Sequence, residues 1–223
     1  MFGKKLYFYI FVMSFKMVLR STSDNQQIMI ILITGASHTG KTLLSQRLLE
    51  KYGFPYLSID HLKMGLIRSG YTSLTPEDDE QLTTYLWPIV REMVKTAIEN
   101  GQHLIVEGCY IPSDWRKDFS EEYLEKIRLI CLAMADEYID AHFDKIRSYA
   151  SAIEIRVDDS CCSIDSVKKD NADFIRRFSA RGEEIVVIED DYEMVIDGIV
   201  EKCGEMINCK LNKDDVTICG RSN

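Results

Sequence analysis

Apolar and polar residues fall in blocks along this chain, and the period of the blocks keeps changing. Residues 28–34, IMIILIT, are a continuous aliphatic run that suits a strand buried on both faces of a parallel sheet. From Lys41 to about Tyr52 the period becomes helical: Leu43, Leu44, Leu48 and Leu49 return to one side, and Gly53 closes the segment. Phe54–Ile59 reads as a second strand, followed by a short helix from about Asp60 to Arg68. Thr75, Pro76, Glu77 and Asp78 combine a capping residue, a first-turn proline and acids that suit a helix dipole. A long helix is therefore predicted from there to Asn100, with Gly101 ending it.

The same alternation continues. HLIVEG (103–108) and IRLICLAMA (127–135) read as the third and fourth strands. Between them and the next strand, Ile139, Phe143 and Ile146 mark one face of a helix from Asp136 to about Tyr149. Residues 151–165 lack a clean period and read as mobile. A helix from about Ile164 to Arg181 ends at Gly182, EIVVIE (184–189) is the fifth strand, and a last helix runs from about Asp191 to Ile207. The tail after Cys209 reads as poorly ordered. Strands alternating with helices imply βαβ units, hence a three-layer α/β/α sandwich around a five-stranded parallel sheet. No internal repeat interrupts it.

Between the first strand and the first helix stands Gly35-Ala-Ser-His-Thr-Gly40-Lys41-Thr42, a full match to the phosphate-binding pattern G-x-x-x-x-G-K-[ST]. Strand, loop and helix follow in the order that motif requires; the bland alternative is a chance glycine turn. Gly35 and Gly40 permit backbone conformations closed to other residues. The N–H groups of Ser37, His38, Thr39, Gly40, Lys41 and Thr42 are expected to converge on a β-phosphate at a helix N-terminus, where the dipole favours anions. Lys41 is expected to reach the β- and γ-phosphates, and the Thr42 hydroxyl to be a Mg²⁺ ligand. ATP and Mg²⁺ are the cofactors implied. The side chain of His38 reads as space-filling rather than catalytic.

Composition sets limits on this picture. With 223 residues, 46% hydrophobic and 28% charged, the chain suits one α/β domain with a small inserted lid. A formal charge of −9 speaks against non-specific nucleic-acid binding, which needs a basic surface. Seven cysteines without a C-x-x-C pair fit reduced thiols in a cytosol, and adjacent Cys161 and Cys162 in a polar stretch read as exposed thiols. Residues 1–27 differ from the rest, carrying +3 and leaving −12 for the remainder. There Lys4 and Lys5 precede an apolar run that imitates a signal peptide, but no small-residue cleavage site follows and Lys16 interrupts the run. The run is too short to span a bilayer. The segment is expected to be a dispensable extension, with an interfacial anchor as the alternative. The protein is thus expected to be cytoplasmic, without stable membrane insertion.

Glu107 ends the third strand, where a phosphate-binding loop of this type needs a carboxylate beside Thr42 to hold Mg²⁺ or its waters. Being longer than the usual Asp, it is expected to act through water or on the acceptor; the alternative is a strand-end acid facing solvent. Gly108 after it is consistent with a close approach of backbone and ligand.

These features, together with YLSID (56–60), resemble the P-loop small-molecule kinases, a group that includes adenylate, shikimate and gluconate kinases and the zeta-toxin-like kinases. SIDHLKMGLIRSGY followed by LIVEGCYIP is also similar to bacterial proteins described as 2-phosphoglycerate kinases or as ATP-binding proteins. The resemblance covers roughly residues 28–205, and only the loop is sharply specific. The adenylate-kinase pattern D-G-[FY]-P-R is replaced by Glu107-Gly108-Cys109-Tyr110-Ile111-Pro112, which speaks against AMP as acceptor. The resemblance implies an acceptor over the carboxyl ends of the strands. Asp60 is then the candidate general base or orienting group for an acceptor hydroxyl, with helix capping as its other reading. Lys63 and Arg68 would bind an anionic acceptor or be surface charges. Tyr71 and Tyr110 would line the pocket or pack in the core. The resemblance further implies an arginine-bearing lid, at about 149–164, for which Arg156 and then Arg147 are the candidates, with Arg176, Arg177 and Arg181 on the next helix.

The sequence therefore predicts a kinase domain over 28–209, a tail over 210–223, and an ATP- and Mg²⁺-dependent transfer of the γ-phosphoryl group to a small-molecule acceptor. The rivals are an adenylate-kinase-like nucleotide kinase and a non-catalytic nucleotide switch. A GTPase switch is disfavoured, since the chain has neither N-K-x-D nor a strand-end D-x-x-G. The acceptor and the oligomeric state stay open.

Overall fold

Five strands, β1 (Ile30–Gly35), β2 (Tyr56–Ser58), β3 (Leu104–Glu107), β4 (Ile127–Met134) and β5 (Ile185–Ile188), form one parallel sheet in the order β2-β3-β1-β4-β5. The computed structural model of the chain describes residues 28–149 and 162–214. The N-terminal extension, Arg156 with most of the expected lid, and the end of the tail lie outside the described residues. Residues 28–202 form one compact unit, and the last helix continues from Cys203 into a second.

β1 is central and every one of its residues is buried, as its unbroken aliphatic run requires. Side chains alternate between the two faces of the sheet. On one face Ile30 and Leu32, with Val106 and Ile127 beside them, pack on Leu82, Leu86, Val90 and Val94 of the helix α3 (Asp79–Glu99), and Leu124 of the short α4 (Glu121–Leu124) joins the same cluster. Farther along that face, Cys131 and Ala133 pack on Phe174 and Phe178 of α6 (Ile164–Ser179). Met134 and Ile188, on the other face, meet Tyr138 and Ile139 of α5 (Asp136–Tyr149) and Tyr192 of α7 (Tyr192–Asp214). The first helix, α1 (Lys41–Tyr52), buries Leu44 and Leu48 and is tied to α7 through Arg47 with Glu193 and Asp197, and through the Tyr52 hydroxyl on the Val200 carbonyl. The α/β/α layering matches the sequence-based expectation.

Several boundaries differ for identifiable reasons. β2 is only three residues long, and Ile59 already belongs to α2 (Ile59–Arg68), whose N-cap is Ser58. Asp60 therefore lies in the first turn of α2, neither at a strand tip nor at the cap. Thr75 does not start α3 either. The Asp78 carboxylate folds back onto the Thr75 N–H and hydroxyl at 2.8 and 2.9 Å, making a separate turn, and α3 begins at Asp79. Those two hydrogen bonds hold the Asp78 carboxyl below the usual carboxylate range. α7 runs past Ile207 and Cys209 to Asp214, where the tail was expected, because no Gly or Pro intervenes.

One polar contact fixes α6 on the sheet. Asn171 is 1% exposed; its side-chain oxygen accepts from the Met134 N–H at 2.7 Å, and its amide donates to the Val167 carbonyl at 2.8 Å. Replacing Asn171 by Leu would strand the Met134 N–H in the interior, a loss of about 1–3 kcal/mol. Chemical denaturation of Asn171→Leu is expected to show a lower midpoint; an unchanged midpoint would remove this bond from the account.

Candidate functional site

The loop after β1 folds tightly on itself. A Cβ on Gly35 would stand 2.5 Å from the Leu132 carbonyl oxygen and 2.8 Å from Thr39 Oγ1, so no other residue fits. The Thr39 side chain is fully buried and donates to the Ala36 carbonyl at 2.8 Å, closing the loop and leaving only the Thr39 N–H for a ligand. His38 (φ 66) and Gly40 (φ 81) are both left-handed, and the Tyr192 hydroxyl lies where a Cβ on Gly40 would have to go. Such a run of turned peptide units is the geometry that aims successive N–H groups at an anion. Gly40 is the N-cap of α1, and no acid occupies the first turn of that helix. Lys41 curls over the loop, donating to the Gly35 carbonyl at 3.2 Å and the Ala36 carbonyl at 2.8 Å. Charged phosphate oxygens are stronger acceptors than those carbonyls.

Glu107 is 1% exposed, so the reading of a solvent-facing acid does not hold. Pairing with Ile33 on one side and Ser58 on the other encloses it. Its Oε2 lies 3.5 Å from Thr42 Oγ1, long for a direct hydrogen bond. Among the described residues no three His, Cys, Asp or Glu side chains converge to hold an ion by themselves. A hydroxyl and one carboxylate fit Mg²⁺, which keeps several waters and takes the rest of its shell from phosphate oxygens.

Next to Glu107, Gly108 (φ 154) is pressed against α2. A Cβ there would approach Ile59 Cβ at 2.9 Å, so the close approach is to Ile59 and not to a ligand. That contact seats Cys109 and Tyr110 beside the first turn of α2. The Tyr110 hydroxyl accepts from Lys63 Nζ at 2.9 Å and donates to Asp79 Oδ1 at 2.9 Å, while Lys63 Nζ pairs with Asp60 Oδ1 at 2.7 Å. Burial, then the neighbouring Cys109 and the charges of Asp79 and Asp60, push the Tyr110 hydroxyl well above its ordinary range. The Cys109 thiol is pushed up to about 11, first by desolvation and then by the carboxylates of Asp60 and Asp79, against the pull of Lys41 and Lys63. Cys109 is nevertheless an exposed residue, and it directly precedes Tyr110 of the Asp60–Lys63–Tyr110–Asp79 chain.

The remaining sequence-predicted residues are more dispersed. Lys63 is no loose surface charge, since its side chain is 12% exposed and committed to Asp60 and Tyr110. Tyr110 is buried as a core residue would be, but Tyr71 is 78% exposed and packs in no core. Arg68 and Arg147 are exposed in the last turns of α2 and α5, and Arg176 pairs with Asp173 of its own helix. Cys162, expected to be an exposed thiol, is half-buried with its Sγ 3.8 Å from His38 Nε2. Sequence reasoning missed two contacts on the loop. Asp170 of α6 accepts from the Ser37 N–H at 2.6 Å, and Tyr192 packs on Gly40, its hydroxyl pushed up to about 12 by burial and then by Glu193. Neither carries a local signal, because both arrive from more than a hundred residues along the chain.

A cleft of about 440 Å³ opens beside Tyr192, lined also by Tyr138, His142, Lys145 and Asp191. A larger cavity of about 770 Å³, lined by Phe54, Ile89, Met93 and His103, lies at the starts of β2 and β3, the opposite end of the sheet from Glu107. There the half-buried His103 ring stacks on Phe54 at 4.1 Å.

No family model and no curated protein matches the chain. Among solved structures it is similar to a gluconokinase from Sinorhizobium meliloti 1021, at 12% identity and a TM-score of 0.48, over 85% of this chain and 99% of that one. It is also similar to shikimate kinases from Bacteroides thetaiotaomicron (14% identity, TM-score 0.49, 81% of this chain and 98% of that one) and Aquifex aeolicus (15%, 0.45, 79% and 96%). These are small-molecule kinases, the group that the sequence resembles. Identities of this size leave function to the chain's own residues.

Proposed function

We propose that this protein is an ATP- and Mg²⁺-dependent phosphotransferase that moves the γ-phosphoryl group to a hydroxyl of a small molecule. The observation that carries the reading is that Glu107, 3.5 Å from Thr42 of a complete phosphate-binding loop, leads through Gly108 to the first turn of α2, where Lys63 holds the Asp60 carboxylate. In this reading the loop N–H groups from Ser37 to Thr42 hold the phosphate chain, and Lys41 leaves its two carbonyl partners to neutralise charge developing on the transferred group. Mg²⁺, when bound, supplies further charge neutralisation, with Thr42 and Glu107 as its protein ligands, directly or through water. Asp60 orients the acceptor hydroxyl and takes its proton, while Lys63, itself held by Tyr110, fixes the carboxylate. The cluster also favours a hydroxyl over AMP as acceptor. Among the described residues its cation is Lys63, already paired with Asp60, and a nucleotide phosphate would need a guanidinium or ammonium of its own. The cytoplasm is the proposed location; no helix among the described residues is long and apolar enough to cross a membrane.

The test is a library of hydroxyl-bearing metabolites incubated with the protein and Mg-ATP, with ADP release followed by a coupled assay. Release that depends on one class of acceptor is expected. Tight Mg-ATP binding with no acceptor-dependent release would favour a nucleotide switch instead.

A further inference from the structure

We propose that Asp170 tunes the loop against highly charged phosphate chains, by holding an N–H that a bound nucleotide would also use; this rests on the nucleotide-binding reading above. The Asp170 carboxylate accepts from the Ser37 N–H at 2.6 Å, a short, charge-assisted bond. Ser37 is the third residue of the loop whose N–H groups are arranged for anions, so the carboxylate is both a mimic of the phosphate and a rival for it.

The contact is built into the fold. Asn171, next in sequence, is locked to the Met134 N–H at the end of β4. Phe174 and Phe178, one and two turns farther along α6, pack with Ala36 of the loop in one apolar cluster. Before the helix, Cys162 lies against His38, and the Ser163–Ser166 capping box fixes where α6 begins. Held at the end of β4 and at Ala36 and His38 of the loop, α6 presents Asp170 to Ser37 from a fixed base.

A phosphate chain entering the loop takes the N–H and repels the carboxylate, and that repulsion grows with its charge. ATP carries one more negative charge than ADP, so Asp170 weakens ATP more than ADP. With α6 anchored, the Asp170 side chain is what gives way when the triphosphate arrives.

Titration calorimetry with Mg-ATP and Mg-ADP tests this on the full-length protein. Asp170→Asn keeps an oxygen acceptor of the same shape and removes the charge. It is expected to tighten Mg-ATP about tenfold and Mg-ADP about threefold, with both gains shrinking as salt shortens the Debye length. Asp170→Glu keeps the charge and is expected to keep the wild-type ratio of the two affinities. Weaker binding of both nucleotides by Asp170→Asn would mean that the carboxylate supports the loop, and would overturn the proposal. A loss confined to Mg²⁺-containing titrations would make Asp170 a metal ligand, with the same consequence, and equal affinity ratios in the Asn and Glu variants would remove charge as the cause. Wild-type protein that binds neither nucleotide would overturn the function reading itself.

Discussion

Lys41→Ala is expected to lower phosphoryl transfer by about 10³-fold, the scale seen when one cationic or hydrogen-bonding group aimed at developing charge is removed. The reason is where the ammonium lies. It rests on the carbonyls of Gly35 and Ala36, at the mouth of the loop, and makes no contact that the core depends on. Alanine suits the first turn of α1, so the melting temperature should hardly move. The variant is checked by circular dichroism for fold, by calorimetry for nucleotide binding and by ADP release for turnover. Near-normal turnover in a folded variant would take the lysine, and the loop with it, out of the chemistry.

Asp60→Asn separates acceptor chemistry from nucleotide binding. If the carboxylate takes the acceptor's proton, the transfer rate falls by about 10²–10⁴-fold, the range for loss of a general base. Mg-ATP affinity should stay as it was, because the phosphates are held by the loop between β1 and α1. Asparagine keeps an oxygen for Lys63, and Ser58 holds the N-cap of α2, so neither the Tyr110 chain nor the helix start depends on the charge. Unchanged turnover with unchanged binding would reject Asp60 and turn attention to Glu107, the buried carboxylate beside Thr42.

The fold was legible in the sequence wherever a local pattern carried it. The aliphatic run of β1, the glycine loop and the leucine spacing of α1 each encode their own structure, and the sheet follows from their alternation. Boundaries were less legible where two local signals compete. Asp78 could cap a helix or close its own turn on Thr75, and the turn wins because it offers two hydrogen bonds instead of one. Ile59 ends an apolar run that reads as strand, yet it begins α2 and packs against Gly108.

The loop half of the candidate site was legible as a pattern of residues, since every member sits within eight positions. The other half was read only as separate candidates. Lys63 and Tyr110 are 47 residues apart, and no spacing rule links them; their hydrogen bond exists because Gly108 lets β3 run into the first turn of α2. Asp170 is farther still, 133 residues from Ser37, and its contact there depends on how α6 is seated on β4, where Asn171 bonds the Met134 N–H. Tyr71 misled in one of its two readings: an aromatic near a motif suggests a core position, and this one lies on the surface.

The most direct test follows the phosphorus atom itself. ATP labelled at its terminal phosphate is incubated with the protein, Mg²⁺ and the acceptor that gives the fastest ADP release, and the products are separated. The account predicts that the label appears covalently on the acceptor, in step with ADP, and that Lys41→Ala suppresses it. Label recovered only as inorganic phosphate, at a rate indifferent to the acceptor, would contradict it.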